Sequence, residues 1–286
     1  MLTFPAMYSS FDAVSERSQD RFYNLRRGEL ACLVLAGVSA AFPGRWAGAF
    51  SVLLFLVALF LRVSTAAGEA EKRWYQARAA AESIKSMSWQ YAVGGESFRL
   101  DMADADNLFR SRLYKLVSEL DAVDLGPPND SSGVITDEMR GWRTKPVMER
   151  HDFYIENRVR DQKGWYSREA EKNRKKASCW RAIIVSLEGV AVVLGLARAL
   201  QVFEVDMLGI LASAAAACAA WFQMRNYVSL ATAYALTAHE IDILDGSFVG
   251  VNNEEAWSQF VHDSEAAFSR EHTMWLARRQ GPLPLA

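Results

Sequence analysis

Residues 180–225 read WRAIIVSLEGVAVVLGLARALQVFEVDMLGILASAAAACAAWFQMR. They contain two apolar runs, Ala182–Phe203 and Val205–Met224, with Glu204 and Asp206 at the only break between them. An α-helix rises about 1.5 Å per residue, so the runs would extend roughly 33 Å and 30 Å, against a hydrocarbon core of about 30 Å. The stretch therefore predicts a transmembrane helical hairpin.

A shorter pair of apolar runs lies nearer the N-terminus. Leu30–Phe42 and Trp46–Leu61 are separated by Pro43 and Gly44, which favour a turn. Each arm is shorter than the roughly 20 residues of a typical spanning helix, so flanking residues would have to extend it into the headgroup region. We interpret this pair as a second transmembrane hairpin.

Basic residues concentrate at the open ends of both hairpins, whereas only Arg45 lies in the first turn and Arg198 near the second. The positive-inside rule then places both termini and residues 64–179 in the cytoplasm. The basic residues at the open ends are Arg21, Arg26, Arg27, Arg62, Lys72, Arg73, Arg174, Lys175, Lys176, Arg181 and Arg225.

The predicted fold class is all-α, since no strand pattern of any length is present. It is a multi-pass membrane protein in which two transmembrane helical hairpins continue into a cytosolic helical bundle. The net charge of −2 gives no basic excess that would indicate a nucleic-acid partner. The predicted organisation is a cytosolic or interfacial segment (1–28), a first hairpin (29–64), a cytosolic helical region (65–179) with a linker near 125–133, a second hairpin (180–225) and cytosolic helices (226–286).

An amphipathic helix follows each hairpin. The first ends at Gly94 and Gly95, and shifting the chain by 157 residues places its Ile84 on Ile241 of the second. We interpret this correspondence as a diverged internal repeat. The second helix has apolar spacing through Tyr227, Leu230, Tyr234, Thr237, Ile241, Leu244 and Phe248.

Two further amphipathic helices are predicted. One covers Asp101–Asp124. The other covers about 253–279 and begins with a capping box in which Asn252 precedes Glu255 by three residues.

The segment from Arg150 into the second hairpin resembles the SLATT family, two-transmembrane effector domains found beside SMODS nucleotidyltransferases and SLOG domains in bacterial defence loci. The resemblance covers about residues 145–280, and the first hairpin looks like a further copy with Trp74 and Tyr75. The residues that carry it are Tyr154, Arg158, Asp161, Gln162, Trp165, Tyr166, Ala170, Asn173, Glu265, Glu271, His272 and Trp275.

The resemblance implies an antiviral effector of the bacterial inner membrane that oligomerises, forms an ion-conducting pore and depolarises the cell. Its implied partners are the membrane, further copies of the chain, and a nucleotidyltransferase or another defence protein. The implied signal ligand is nucleotide-derived, and no cofactor is implied. The alternative is a non-conducting module that tethers a soluble defence complex to the membrane.

Glu188 lies about two turns inside the apolar run Ala182–Phe203. A carboxylate near the bilayer interior costs roughly 2.5–3.5 kcal/mol, so Glu188 should face protein or water. It either lines a pore, where it would favour cations, or pairs with Arg181 seven residues earlier. The sequence leaves both readings open.

Arg198 is either a gating residue or a side chain that extends outward to the headgroups, and it could also pair with Glu204 or Asp206 at the turn. Residues 209–220 are mostly small, which predicts a close contact with another helix of the chain or with another subunit.

Polar residues with a spacing of four form a stripe that either couples a signal to the adjoining membrane helix or simply packs in a helical bundle. A following basic group could contact an anionic nucleotide, although such groups more often contact lipid headgroups. The stripe is Tyr154, Arg158, Gln162 and Tyr166, and the basic group is Arg168, Lys172, Arg174, Lys175 and Lys176.

Catalytic chemistry has little support in the sequence. The four histidines form no ligand cluster, and no phosphate loop, nucleophile elbow or CxxC motif is present. We predict no catalytic residues, no metal and no cofactor, and hence a protein that is not an enzyme.

Overall fold

The structure is a computed structural model that describes residues 2–66, 69–123, 125, 133–201, 207–247 and 253–280. Side chains are described in these ranges except at residues 66, 246–247 and 270–280. The regular structure of the described residues is entirely helical, which confirms the all-α prediction.

The α-helices are α1 (Ala6–Ala40), α2 (Arg45–Ala66), α3 (Glu69–Val93), α4 (Ala105–Ser118), α5 (Asp137–Arg143), α6 (Val147–Tyr154), α7 (Asp161–Ala199), α8 (Met207–Arg225), α9 (Tyr227–Ser247) and α10 (Glu254–Gln280). A 3₁₀ turn covers Glu96–Phe98, and a π-helical segment (Ile155–Arg160) joins α6 to α7.

Several helix boundaries differ from the prediction. Helix α1 is continuous where a polar segment followed by an apolar arm was expected, and α4 is shorter than the predicted 101–124. The helix cap of α10 is Asn253, whose Oδ1 accepts the N–H of Ala256 at 2.6 Å. The predicted cap Asn252 and the predicted turn at Glu204 and Asp206 lie outside the described residues, as does most of the 125–133 linker.

The order of the helices agrees with the predicted repeat. Subtracting 157 from the bounds of α7, α8 and α9 gives residues 4–42, 50–68 and 70–90, which coincide with α1, α2 and α3. The same shift places α10 over α4. Ile84 and Ile241, paired by the shift, are both fully buried.

The chain forms two compact units, and α1, α3, α7 and α9 contribute residues to both. Unit 1 contains Met1–Ser18, Glu71–Glu169 and Ala233–Ala286, and unit 2 contains Gln19–Ala70 and Ala170–Thr232.

The core of unit 1 is aromatic. The ring of Tyr154 lies 5.7 Å from that of Trp89 and 5.7 Å from that of Trp257, in edge-to-face contacts that join α6 to α3 and α10. Tyr91 makes a similar contact with Phe109 of α4 at 5.5 Å. Such pairs stabilise beyond the area they bury, by about 0.5–1.5 kcal/mol.

Helix α3 ends where the sequence predicts, at the glycine pair. Gly94 has a φ of +77°, and the N–H of Gly95 donates to the carbonyl of Gln90 at 2.8 Å. This is a Schellman motif, in which glycine takes the left-handed position without steric cost.

In the described part of the chain, three helical stretches are long and apolar enough to cross a membrane: Arg45–Val93, Val147–Ala199 and Met207–Asp245. At most 11% of the most apolar window in each is buried, so the apolar side chains are on the surface. Soluble proteins rarely expose apolar patches of this size. Helix α1, which ends in the predicted arm Leu30–Phe42, is not among the three.

Candidate functional site

The predicted polar stripe is buried in unit 1. Tyr154, Arg158, Gln162 and Tyr166 are 0%, 2%, 9% and 5% exposed. In an ideal α-helix each step of four residues overshoots a full turn by about 40°. Residues with strict four-residue spacing would therefore rotate progressively away from a common face. The π-helical segment Ile155–Arg160 winds more residues into a turn and offsets this rotation. The stripe is therefore one continuous buried face.

Glu265 of α10 is the shared acceptor of two stripe residues, Tyr154 and Arg158. Arg158 donates to its two carboxylate oxygens, from Nε at 2.9 Å and from Nη2 at 2.7 Å. The Tyr154 hydroxyl donates to the same carboxylate at 3.0 Å. The ring of Phe268 lies 4.8 Å from the guanidinium carbon. Glu265 is 1% exposed, so this is a fully buried ion pair.

The pKa values of Arg158 and Tyr154 fix the protonation states of these two side chains. Burial acts to lower the pKa of Arg158, but the charge and hydrogen bonds of Glu265 outweigh it and the pKa is raised. Burial and the Glu265 charge raise the pKa of Tyr154 well above its ordinary value. The cluster therefore holds a charged arginine and a neutral tyrosine, and it suits positioning rather than proton transfer.

Arg150 makes a second buried connection between the same helices. Its Nη1 donates to the carbonyl of Val93 at 2.5 Å, its Nε donates to the carbonyl of Lys145 at 2.8 Å, and its Nη2 pairs with Glu254. The indole N–H of Trp257 also donates to the Val93 carbonyl, at 2.7 Å. The end of α3 is thus fastened to both α6 and α10.

A polar cavity of about 380 Å³ adjoins the stripe in unit 1. Its walls come from α1, α3, the π-helical segment, α7 and α10. Helices α1 and α7 occupy corresponding positions in the repeat. It is lined by Tyr8, Asp12, Glu16, Arg78, Ala79, Glu82, Ser83, Lys85, Ser86, Arg158, Asp161, Gln162, Trp165, Tyr166, Phe268 and Ser269.

The cations of the cavity differ in how they are neutralised. Arg78 pairs with Glu82 at 2.7 Å and with Asp12 at 3.6 Å. Lys85 has no ion pair among the described residues. Burial, followed by the charge of Arg158, lowers the pKa of Lys85. Lys85 is therefore the cation of this cavity that most needs an anion.

A buried carboxylate that the sequence analysis did not single out lies in unit 2. Glu29 is 2% exposed and accepts from Arg26 at 2.9 Å and from Arg62 at 2.8 Å, which joins α1 to α2. A signal was present in the sequence, since Glu29 stands beside Arg26 at the start of an apolar run that otherwise lacks acids.

The small residues of α8 form a close contact inside unit 2. A Cβ added at Gly37 of α1 would lie 2.7 Å from Oγ of Ser213. Of the two predicted roles for residues 209–220, the structure therefore shows contact with another helix of the same chain at this point.

An aromatic and cationic cluster in unit 2 surrounds the end of α8. The guanidinium of Arg225 lies 4.1 Å from the ring of Tyr23, and that of Arg27 lies 5.2 Å from the ring of Trp221. Trp221 is 9% exposed, so it packs within the unit, whereas Trp46 at the start of α2 is 75% exposed.

The three candidate pore or gating residues all lie on α7 and are exposed. Glu188 has no hydrogen bond or ion pair among the described residues, so the Arg181–Glu188 pair, one of the two alternatives for Glu188, is not formed. The Nε of Arg181 instead donates to the carbonyl of Ala177 at 3.3 Å. Partners of Arg198 at the predicted turn lie outside the described residues.

The predicted anion or lipid contacts are spread along α7. Arg168, Lys172, Arg174 and Lys175 are exposed, while the ammonium of Lys176 lies 5.9 Å from the Tyr227 ring. Arg168 belongs to unit 1 and the other four to unit 2. Glu171 lies near Lys175 at 3.5 Å and Arg174 at 3.9 Å, so part of this charge is already neutralised.

No cluster of three or more His, Cys, Asp or Glu residues suited to a metal ion is found among the described residues. Glu271, His272 and Trp275 lie in α10 beyond the last described side chain.

Comparison with known proteins gave two family matches. The model described as SMODS and SLOG-associating 2TM effector domain 3 matches residues 5–151, and the model for effector domain 1 of the same series matches residues 154–275. The two matches meet near the start of the π-helical segment and follow the two halves of the repeat. No curated protein and no solved structure matches the chain.

Proposed function

Because the chain belongs to the SLATT family of two-transmembrane effector domains associated with defence systems, we propose that it is a membrane effector that conducts ions. In this proposal several copies assemble into a pore in the bacterial inner membrane. Opening of the pore depolarises the cell and stops the spread of infection. The activity is not enzymatic.

The proposed topology has both hairpins spanning the membrane and both termini in the cytoplasm. Its support is the three long apolar stretches with little buried surface, together with basic residues at the open ends of the hairpins. The short arm at the end of α1 crosses beside them, and its Gly37 allows close approach to α8.

Glu188 is the single observation that carries the pore proposal. It is exposed on an apolar helix and has no partner among the described residues of its own chain. A carboxylate facing lipid would cost roughly 2.5–3.5 kcal/mol near the bilayer centre. Placing Glu188 of each copy around a water-filled path removes this cost. The ring of carboxylates would then favour cations.

The trigger in this proposal is a nucleotide-derived signal or a protein partner, such as a nucleotidyltransferase of the same defence system. The described part of unit 1 supports it with a polar cavity and a buried polar stripe on the chain segment that continues into α7.

The test is membrane potential in cells that express the chain, read with a potential-sensitive dye. Wild-type protein should depolarise the cells, and Glu188→Gln should reduce the cation current of the purified oligomer in planar bilayers. Glu171→Gln, an exposed carboxylate on the same helix near Lys175, is the matched control and should conduct like wild type.

Two results would decide against conduction. A purified oligomer that stays silent in bilayers under every activating condition contradicts the pore. Full protection from phage by Glu188→Ala, with loss of protection when residues 96–179 are disrupted, would instead indicate the tethering module.

A further inference from the structure

The donors that line the polar cavity of unit 1 are incompletely satisfied. Nη1 of Arg158 is buried and has no hydrogen-bond partner, although Nε and Nη2 of the same side chain bind Glu265. Lys85 and the amide of Gln162 have no hydrogen bond or ion pair among the described residues. Buried polar groups are nearly always paired, so the buried Nη1 of Arg158, with the partly buried Lys85 and the amide of Gln162 on the same cavity wall, calls for a bound acceptor.

The charge of the cavity wall differs between its buried and exposed parts. The buried part holds Arg158 and the partly buried Lys85, whereas Glu16 and Asp161 are exposed and have no ion pair among the described residues. Arg78 is already neutralised by two carboxylates. An anionic group is therefore favoured only in the buried part, and a ligand with several separated negative charges is disfavoured by the exposed acids.

We propose that this cavity binds a small molecule through one terminal oxyanion, a phosphate or a carboxylate, held by Lys85, Gln162 and Arg158. A volume of about 380 Å³ lies within the range of small-molecule sites. Guanidinium and ammonium groups are the usual partners of such oxyanions, and the bonds are strengthened by charge. The site stands apart from the pore, and only its role as a trigger rests on the proposed function.

The aromatic wall gives the rest of the ligand a surface to contact. Trp165 and Tyr166 line the cavity, with ring centroids 5.0 Å apart, and Phe268 already lies against Arg158. Adenosine 5′-monophosphate carries an aromatic adenine ring for this wall and a phosphate for the buried cations. It is therefore the most informative probe.

The experiment is isothermal titration calorimetry with the full chain in detergent micelles. The probes are inorganic phosphate, adenosine 5′-monophosphate, glutarate and adenosine. Binding of the phosphate probes but not glutarate assigns the oxyanion to a phosphate ligand, and binding of glutarate assigns it to a carboxylate. Either result supports the site, whereas adenosine alone should not bind.

Variants separate binding from folding. Lys85→Gln removes a cation that has no hydrogen bond or ion pair among the described residues, and it should raise Kd by about tenfold or more. Lys85→Arg should retain binding, and Lys115→Gln, on an exposed part of α4, should leave Kd unchanged. Absence of binding by every anionic probe, or equal Kd for Lys85→Gln and wild type, overturns the proposal.

The outcome is independent of the pore test. Binding that is lost in Lys85→Gln, in a chain that does not depolarise cells, would leave the site intact and contradict the function. Depolarisation by a chain that binds none of the anions would do the reverse.

Discussion

Replacing Glu265 by glutamine should destabilise unit 1 more than any other single change of one carboxylate. The substitution keeps the shape of the side chain but leaves the Arg158 guanidinium, 2% exposed, without its counter-charge. The carboxylate accepts three hydrogen bonds, at 2.7, 2.9 and 3.0 Å, whereas the glutamine amide has one acceptor oxygen and one donor NH₂ group. Breaking a buried pair in this way costs about 3–5 kcal/mol.

The expected loss can be read as a melting temperature. For a domain of this size each kcal/mol corresponds to about 2–4 °C, so Tm should fall by roughly 6–20 °C. Tryptophan fluorescence of the purified chain on heating is a suitable signal because Trp257 and Trp89 lie in the same core. Glu255→Gln, an exposed change on the same helix, should leave stability within about 0.5 kcal/mol.

A double variant distinguishes the stranded charge from simple loss of packing. Arg158→Met with Glu265→Met removes both charges, and apolar replacement of a buried pair is often neutral or stabilising. It should therefore recover most of the loss seen in Glu265→Gln. A Glu265→Gln protein as stable as Glu255→Gln, or a double variant less stable than the single one, would refute the reasoning.

Two further predictions concern packing and pH. Gly37→Ala places a Cβ 2.7 Å from Oγ of Ser213 and should lower the free energy of unfolding by about 1–3 kcal/mol. Gly48→Ala is the control, because a Cβ there meets nothing within 4 Å and should leave stability unchanged. Thermal unfolding in detergent compares the two variants. If oxyanion binding requires charged Lys85, whose pKa is lowered by burial and by Arg158, affinity should be constant below that pKa and fall as pH rises through it. Calorimetry with inorganic phosphate from neutral pH upward measures this fall, and Lys85→Arg should shift it to higher pH; equal pH profiles would contradict the role of Lys85. The charged groups that face Lys85 are Arg158, Glu82, Arg78 and Glu265, and Asp12, Glu16 and Asp161 line the same cavity.

The helical content and the family could be predicted from local sequence. Apolar runs, the glycine pair after Val93 and the four-residue stripe are all patterns within one helix, and each corresponds to a described element. The π-helical segment could not be predicted because the stripe by itself does not say how the backbone would keep it on one face.

Contacts between distant parts of the chain could not be predicted from the sequence. Glu265 was noticed as a family residue, but its pairing with Arg158 joins positions 107 residues apart. Nothing in the sequence of α3 distinguishes Lys85 from the other polar residues of that helix. Only the fold shows that it lines the same cavity as Gln162. The contact between Gly37 and Ser213 likewise depends on how α1 and α8 cross.

The buried arginines of unit 1 also constrain the order of folding during synthesis. Arg150 and Arg158 reach their carboxylates only across 104 and 107 residues, and the Val93 carbonyl receives one of its two bonds from Trp257 across 164. A nascent chain that lacks α10 must keep both guanidinium groups hydrated, since burying them unpaired is costly. The ribosome must therefore complete both apolar hairpins before the core of unit 1 can close.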